Sequence, residues 1–258
     1  MYQRRFLIGT LLIVVLSLVT ACQPMVVPTI QQATLMEQEQ KTAEVSTAQL
    51  HQLLADGKTF VFDSRPHLEF STSHIPGALN VAPKPGVEMS VYVSDVAEIE
   101  RVVQAKDAPI VLYCNGPFCG TSKRLAGELL TAGFTNVRRY QLGMPIWRAL
   151  VGLSQIELDG ARYVFAGDKT AVWVDARSAE EFAAGSLEGA VNMIDKEDVI
   201  KAKDDKRLPM QDHNTRIIVF GTDGEQARTV AGEIAKIAFD NVSFFGGTIE
   251  ELMQGIQE

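Results

Sequence analysis

The chain has 258 residues, 46% hydrophobic and 22% charged, which is ordinary globular composition with room for one large domain or two small ones. Its formal net charge of −8 excludes a basic footprint for nucleic acid and gives no attraction to an anionic membrane surface. The three cysteines and four histidines show no zinc-ligand spacing, so neither a metal site nor a cofactor is expected.

At the N-terminus, Arg4 and Arg5 precede an almost unbroken apolar run from Phe6 to Val19. The run is too short to span a membrane and ends in small residues, as a secretory signal does. Val19-Thr20-Ala21-Cys22 resembles a bacterial lipobox. That resemblance implies removal of residues 1–21 and lipidation of Cys22, which places the chain in the bacterial cell envelope, facing the periplasm or the exterior. Removal takes away two arginines and no acid, so membrane attachment would rest on the lipid anchor alone. Residues 22–45, rich in Gln and Glu after two early prolines, read as a flexible tether, helical at most near its end.

Ser46 is placed to cap a helix over Thr47 to Ala55, with Leu50, Leu53 and Leu54 on one face and Gly57 ending it. Thr59-Phe60-Val61-Phe62 then reads as a short buried strand. Farther on, the apolar run Ile110-Val111-Leu112-Tyr113 ends in Cys114 and passes through Asn115-Gly116-Pro117-Phe118-Cys119-Gly120-Thr121-Ser122 into a helical pattern. This puts a thiol at the carboxyl end of a strand, facing a helix N-terminus, where open α/β sheets bind ligands and where a thiolate is stabilised. Cys114 and Cys119 share the loop, and outside the cytoplasm such a pair can form a disulfide.

The chain also repeats itself. Phe62-Asp63-Ser64-Arg65 to Glu69-Phe70 and Gly77-Ala78-Leu79-Asn80 recurs 112 positions later as Val174-Asp175-Ala176-Arg177 to Glu181-Phe182 and Gly189-Ala190-Val191-Asn192. The strand at Ile110 recurs at Ile217-Ile218-Val219-Phe220, and Phe134-Thr135-Asn136-Val137 recurs as Phe239-Asp240-Asn241-Val242. Each copy alternates strands and helices, which predicts an α/β fold: two tandem domains, 46–155 and 156–258, each a mostly parallel sheet flanked by helices on both faces.

Asp63-x-Arg65, Glu69-Phe70, His74-Ile75-Pro76-Gly77-Ala78, the strand-Cys114-loop-helix unit and Gly133-Phe134 together resemble the rhodanese-like domain, closely over 46–150 and more weakly over 160–258. The resemblance implies a sulfurtransferase in which Cys114 carries sulfane sulfur as a persulfide. The donor would be a small sulfur-containing anion or a persulfide, and the acceptor a thiol. It implies a substrate-binding loop at Asn115, Gly116, Pro117, Phe118, Gly120, Thr121 and Ser122, with Asp63 and Arg65 as a supporting ion pair rather than catalysts.

Two departures from the family pattern stand out. The arginine that usually binds the anionic donor is missing, with Cys119 in its place, leaving Lys123 and Arg124 as the nearby cations. Cys119 is thus a candidate resolving thiol or disulfide partner. In the second copy Gly221 takes the cysteine position and Asp223 and Glu225 follow, which predicts a silent domain, free to serve a protein partner. The rival reading is a binding, scaffold or redox-sensing lipoprotein with a Cys114–Cys119 disulfide. A phosphatase would need an arginine where Gly120 stands. His74 reads as a turn-stabilising fold residue, and Trp147 and Trp173 as core.

Overall fold

A computed structural model describes residues 40–82, 95–117, 119–237 and 239–257. The expected signal segment, Cys22, most of the expected tether and Phe118 lie outside the described residues.

The first domain runs β1 (Ala43–Glu44), α1 (Thr47–Asp56), β2 (Phe60–Asp63), α2 (His67–Thr72), β3 (Leu79–Asn80), α3 (Asp95–Val102), β4 (Ile110–Tyr113), α4 (Gly120–Thr131), β5 (Val137–Tyr140) and α5 (Gly143–Val151). The second runs β6 (Leu153–Ile156), α6 (Leu158–Gly167), β7 (Val172–Asp175), α7 (Ala179–Ala184), β8 (Val191–Asn192), α8 (Lys196–Asp204), β9 (Ile217–Phe220), α9 (Gly224–Ala235), β10 (Val242–Phe245) and α10 (Ile249–Gln257). The strand orders are β1-β5-β4-β2-β3 and β6-β10-β9-β7-β8, and every paired strand within them is parallel. The two orders are the same, so the sequence repeat is a structural one.

All four residues of β4 are buried because helices cover both faces of the sheet. Val111 and Tyr113 point into a cluster with Leu50 of α1 and Trp147 of α5. Ile110 and Leu112 point the other way, into Ile99 of α3 and Leu125 and Leu129 of α4. The second sheet does likewise, with Ile217 and Val219 against α8 and α9, and Ile218 and Phe220 against α6 and α10.

Helix α1 starts as its sequence predicts. Ser46 accepts from the Gln49 N–H, Gln49 reaches back to the Ser46 N–H, and Gly57 ends the helix in the left-handed region at φ 64°. Two boundaries differ from expectation. The end of the tether is neither loose nor helical, because Ala43 and Glu44 pair with Arg138 and Arg139 as the edge strand of the first sheet. Leu153 to Gln155, assigned to the first domain, pair in register with Val242 to Phe244, so the sheets part at Gly152.

The domains join through more than the chain. His74 and Gln155 exchange N–H···O bonds of 2.9 Å in an antiparallel bridge, and the Glu157 N–H donates to Ser71 O at 2.8 Å. Ser73 Oγ donates to Ser154 Oγ at 3.0 Å. Helix α6 lies against α2 so closely that any Cβ on Gly160 would overlap the Ser71 carbonyl.

Candidate active site

The chain crosses over between β2 and β4, so the carboxyl ends of these neighbouring central strands form the crevice in which open α/β sheets bind ligands. Cys114 sits there, directly after Tyr113, with 3% of its surface exposed. Its carbonyl accepts the Met144 N–H at 3.0 Å. Gly143, at φ 66°, lies so close that a Cβ would overlap the Cys114 carbonyl and come within 2.8 Å of the Gly116 Cα. The start of α5 therefore braces the loop from below, and only glycine fits at that position.

Cys119 is the residue before α4 and caps the helix with no side-chain hydrogen bond; its N–H donates to Gly116 O at 3.0 Å. Its sulfur is bonded to that of Cys114, with the two Cα atoms 6.2 Å apart. Asn115 and Gly120 are exposed, Pro117, Cys119 and Thr121 half-buried, and Gly116 and Ser122 buried. The described loop residues thus gather as expected around the start of α4.

Asp63 and Arg65 form a buried pair. The Arg65 Nη2 lies 2.6 Å from Asp63 Oδ2 and also donates to Ser73 O at 2.6 Å. Burial pulls the guanidinium pKa down, but the bonds and charge of Asp63 more than offset it and hold Arg65 above its ordinary value. In the second domain Arg177 makes the same contacts to Asp175 and to Gly185 O, at 2.7 Å each. The same pair recurs in a copy that has no thiol.

One residue of the crevice was missed as a site residue. Asn115 Nδ2 donates to Glu69 Oε2 at 2.5 Å. The second copy explains why Glu69 is free to do this. There Ser178 and Glu181 form a capping box on α7, whereas Pro66 holds the Ser178 position before α2 and offers neither hydroxyl nor N–H. The substitution of proline for serine was the signal in the sequence.

Arg124 does not replace the missing loop arginine. It is held by Glu128 at 2.6 Å and by Asp95 at 2.8 Å, on the α3 side of α4. With Lys123 it lines a cavity of about 960 Å³ there.

The second loop is filled by its own side chains. Asp223 accepts from the Glu225 and Gln226 N–H groups, and Gln226 Oε1 accepts from Thr222 N–H at 2.9 Å. A Cβ on Gly221 would lie 2.6 Å from that same oxygen. The brace is nevertheless retained, since Ile249 N–H donates to Gly221 O at 3.0 Å as Met144 does to Cys114.

The family model described as the rhodanese-like domain matches residues 46–150 and again 165–254. The chain belongs to the rhodanese-like family. Over 109 residues this rhodanese-like chain is 31% identical to an HTH-type transcriptional regulator of Mycobacterium tuberculosis, a stretch that is 42% of each protein. The chain therefore spans less than half the length of that curated relative. Among solved structures, a thiosulfate sulfurtransferase from Pseudomonas aeruginosa aligns at 17% identity and TM-score 0.33, covering 84% of this chain and 43% of its own. The BH2092 protein from Bacillus halodurans aligns at 25% identity and TM-score 0.32, covering 41% of this chain and 70% of its own. Of the two rhodanese-like units, the first has the thiol and the second has a plugged loop.

Proposed function

We propose that the protein is an exported, lipid-anchored sulfurtransferase that moves sulfane sulfur through a persulfide on Cys114 to a thiol acceptor. The observation that carries this reading is the contrast between the two loops. One presents a cysteine at the mouth of a helix with no capping side chain, and the other has glycine and fills the same space with Asp223 and Gln226. Helix N-termini lower thiol pKa, so Cys114, once reduced, is suited to be the nucleophile. It attacks the outer sulfur of the donor, the donor's remainder leaves as an anion, and the sulfur stays on Cys114. The loop N–H groups stabilise the charge.

Because Arg65 and Arg124 are both committed to carboxylates and Glu69 adjoins the loop, the site favours a persulfide donor with little charge at its reacting end over thiosulfate. Anchoring through Cys22 and exposure to the periplasm or exterior rest on the lipobox-like tetrapeptide.

Kinetics with thiosulfate, glutathione persulfide and polysulfide, on reduced wild type and Cys114→Ser, test the assignment. Activity that survives in Cys114→Ser would end it. The disulfide favours one other reading, a non-catalytic binding module with a permanent Cys114–Cys119 bond. Counting free thiols on protein taken from cells distinguishes that reading, which requires none.

A further inference from the structure

We infer that the Cys114–Cys119 pair makes the first domain a dithiol-dependent persulfide reductase, in which Cys114 receives the sulfur and Cys119 is the point of entry for the reducing thiol. This rests on the sulfur-transfer reading of Cys114 and adds a division of labour between the two cysteines.

The two sulfurs of the disulfide are not equivalent. Cys114 is 3% exposed, follows a central strand, and is held through its carbonyl by Met144. Cys119 is half-buried beside the exposed Gly120, at the outer edge of the loop. Thiol–disulfide exchange is governed by access to the attacked sulfur and by the stability of the thiolate that leaves. Access selects Cys119. Cys119 is the more exposed of the two, and attack on its sulfur expels Cys114 as a thiolate; the joined sulfurs share the start of α4, so the helix dipole does not choose between them.

The cycle balances without any oxidant beyond the donor. The Cys114 thiolate takes the terminal sulfur of a donor R–S–SH, forming Cys114–S–SH and releasing R–S⁻. The Cys119 thiolate attacks the inner sulfur of this persulfide, so that the Cys114–Cys119 bond forms and HS⁻ leaves. One thiolate of a dithiol attacks Cys119, which breaks that bond and frees Cys114. The second thiol of the dithiol then displaces Cys119. In sum R–S–SH and a dithiol become R–SH, hydrogen sulfide and the cyclic or protein disulfide of the reductant. Two electrons pass from the dithiol to the sulfane sulfur.

Two measurements on the full chain decide the matter. First, oxidised wild type is treated with a limiting amount of glutathione, quenched with acid, and the adduct located by peptide fragmentation. The expected position is Cys119, and an adduct on Cys114 overturns the assignment. Second, reduced wild type and Cys119→Ser are given glutathione persulfide in single turnover with no reductant present. Wild type is expected to release one sulfide per chain and to lose two hydrogens in mass, while Cys119→Ser retains one added sulfur and releases none. Steady sulfide production by wild type should then require dithiothreitol. Wild type that retains its persulfide refutes the reductase cycle but leaves sulfur transfer standing. Failure of Cys119→Ser to take up sulfur refutes both.

Discussion

Glu69 shows how a single residue alters a site without belonging to its chemistry. In the second copy the corresponding glutamate is used to cap a helix; in the first, Pro66 removes that use and the carboxylate turns to Asn115, next to Cys114. A negative charge at this edge opposes an incoming dianion and scarcely affects a neutral donor. Glu69→Gln retains an acceptor for Asn115 and removes the charge. It should raise kcat/KM for thiosulfate by about twofold to fivefold, an effect that fades with added salt, and leave a neutral trisulfide unchanged. His74 gives a second outcome at this scale. Burial lowers its pKa to about 4, the bond from Nδ1 to Phe70 O opposes the shift, and the charge of Arg65 adds to it. The Glu157 carboxylate 3.4 Å away is largely in water and does not reverse the sign. The unfolded chain takes up a proton near pH 6.5 and the folded one does not. Stability is therefore full above pH 6.5 and falls by up to about 3 kcal/mol as the pH drops toward 4. Urea titrations at pH 7 and pH 4.5 measure this, and His74→Asn should flatten the dependence.

Among the elements, those with buried runs or capping residues were legible in advance. Ile110 to Tyr113 announced a strand buried on both faces, Ser46 and Gly57 bracketed their helix, and the Cys114 loop was assembled from order alone. The two-residue strand β1 was not legible, since Ala43–Glu44 has no periodicity and exists only because Arg138 and Arg139 lie alongside. Nor could the sequence show that Arg124 turns to Asp95 and Glu128 rather than to the loop, for that choice depends on where α3 comes to rest. Gly221 leaves the second loop without a thiol, and the loop's own side chains also occupy the space. Gly221→Cys alone should remain unreactive toward persulfide, because Asp223 already accepts the helix N–H groups and Gln226 the loop N–H of Thr222. Adding Asp223→Ala and Gln226→Ala should free them and speed alkylation of the new thiol by iodoacetamide about tenfold, the effect of roughly one unit of pKa. Loss of the Asp223 cap should cost about 1 kcal/mol of stability.

For the whole molecule, the two domains are copies in topology and unequal in dependence. The segment from Ser71 to His74 of the first is hydrogen-bonded to Gln155 and Glu157 of the second, and α2, which carries Glu69, rests on α6. The second domain thus supports the element that brings Glu69 to the Cys114 loop. The bridge at His74 has a consequence for the second domain as well. Strand β6 is the outermost of its sheet, and His74 is what meets its free side. Separated from the first domain, the second would present a bare row of amide donors and acceptors, the kind of border along which sheets of different molecules join. Residues 153–258 expressed alone should therefore self-associate in size-exclusion chromatography at concentrations where the full chain stays dispersed.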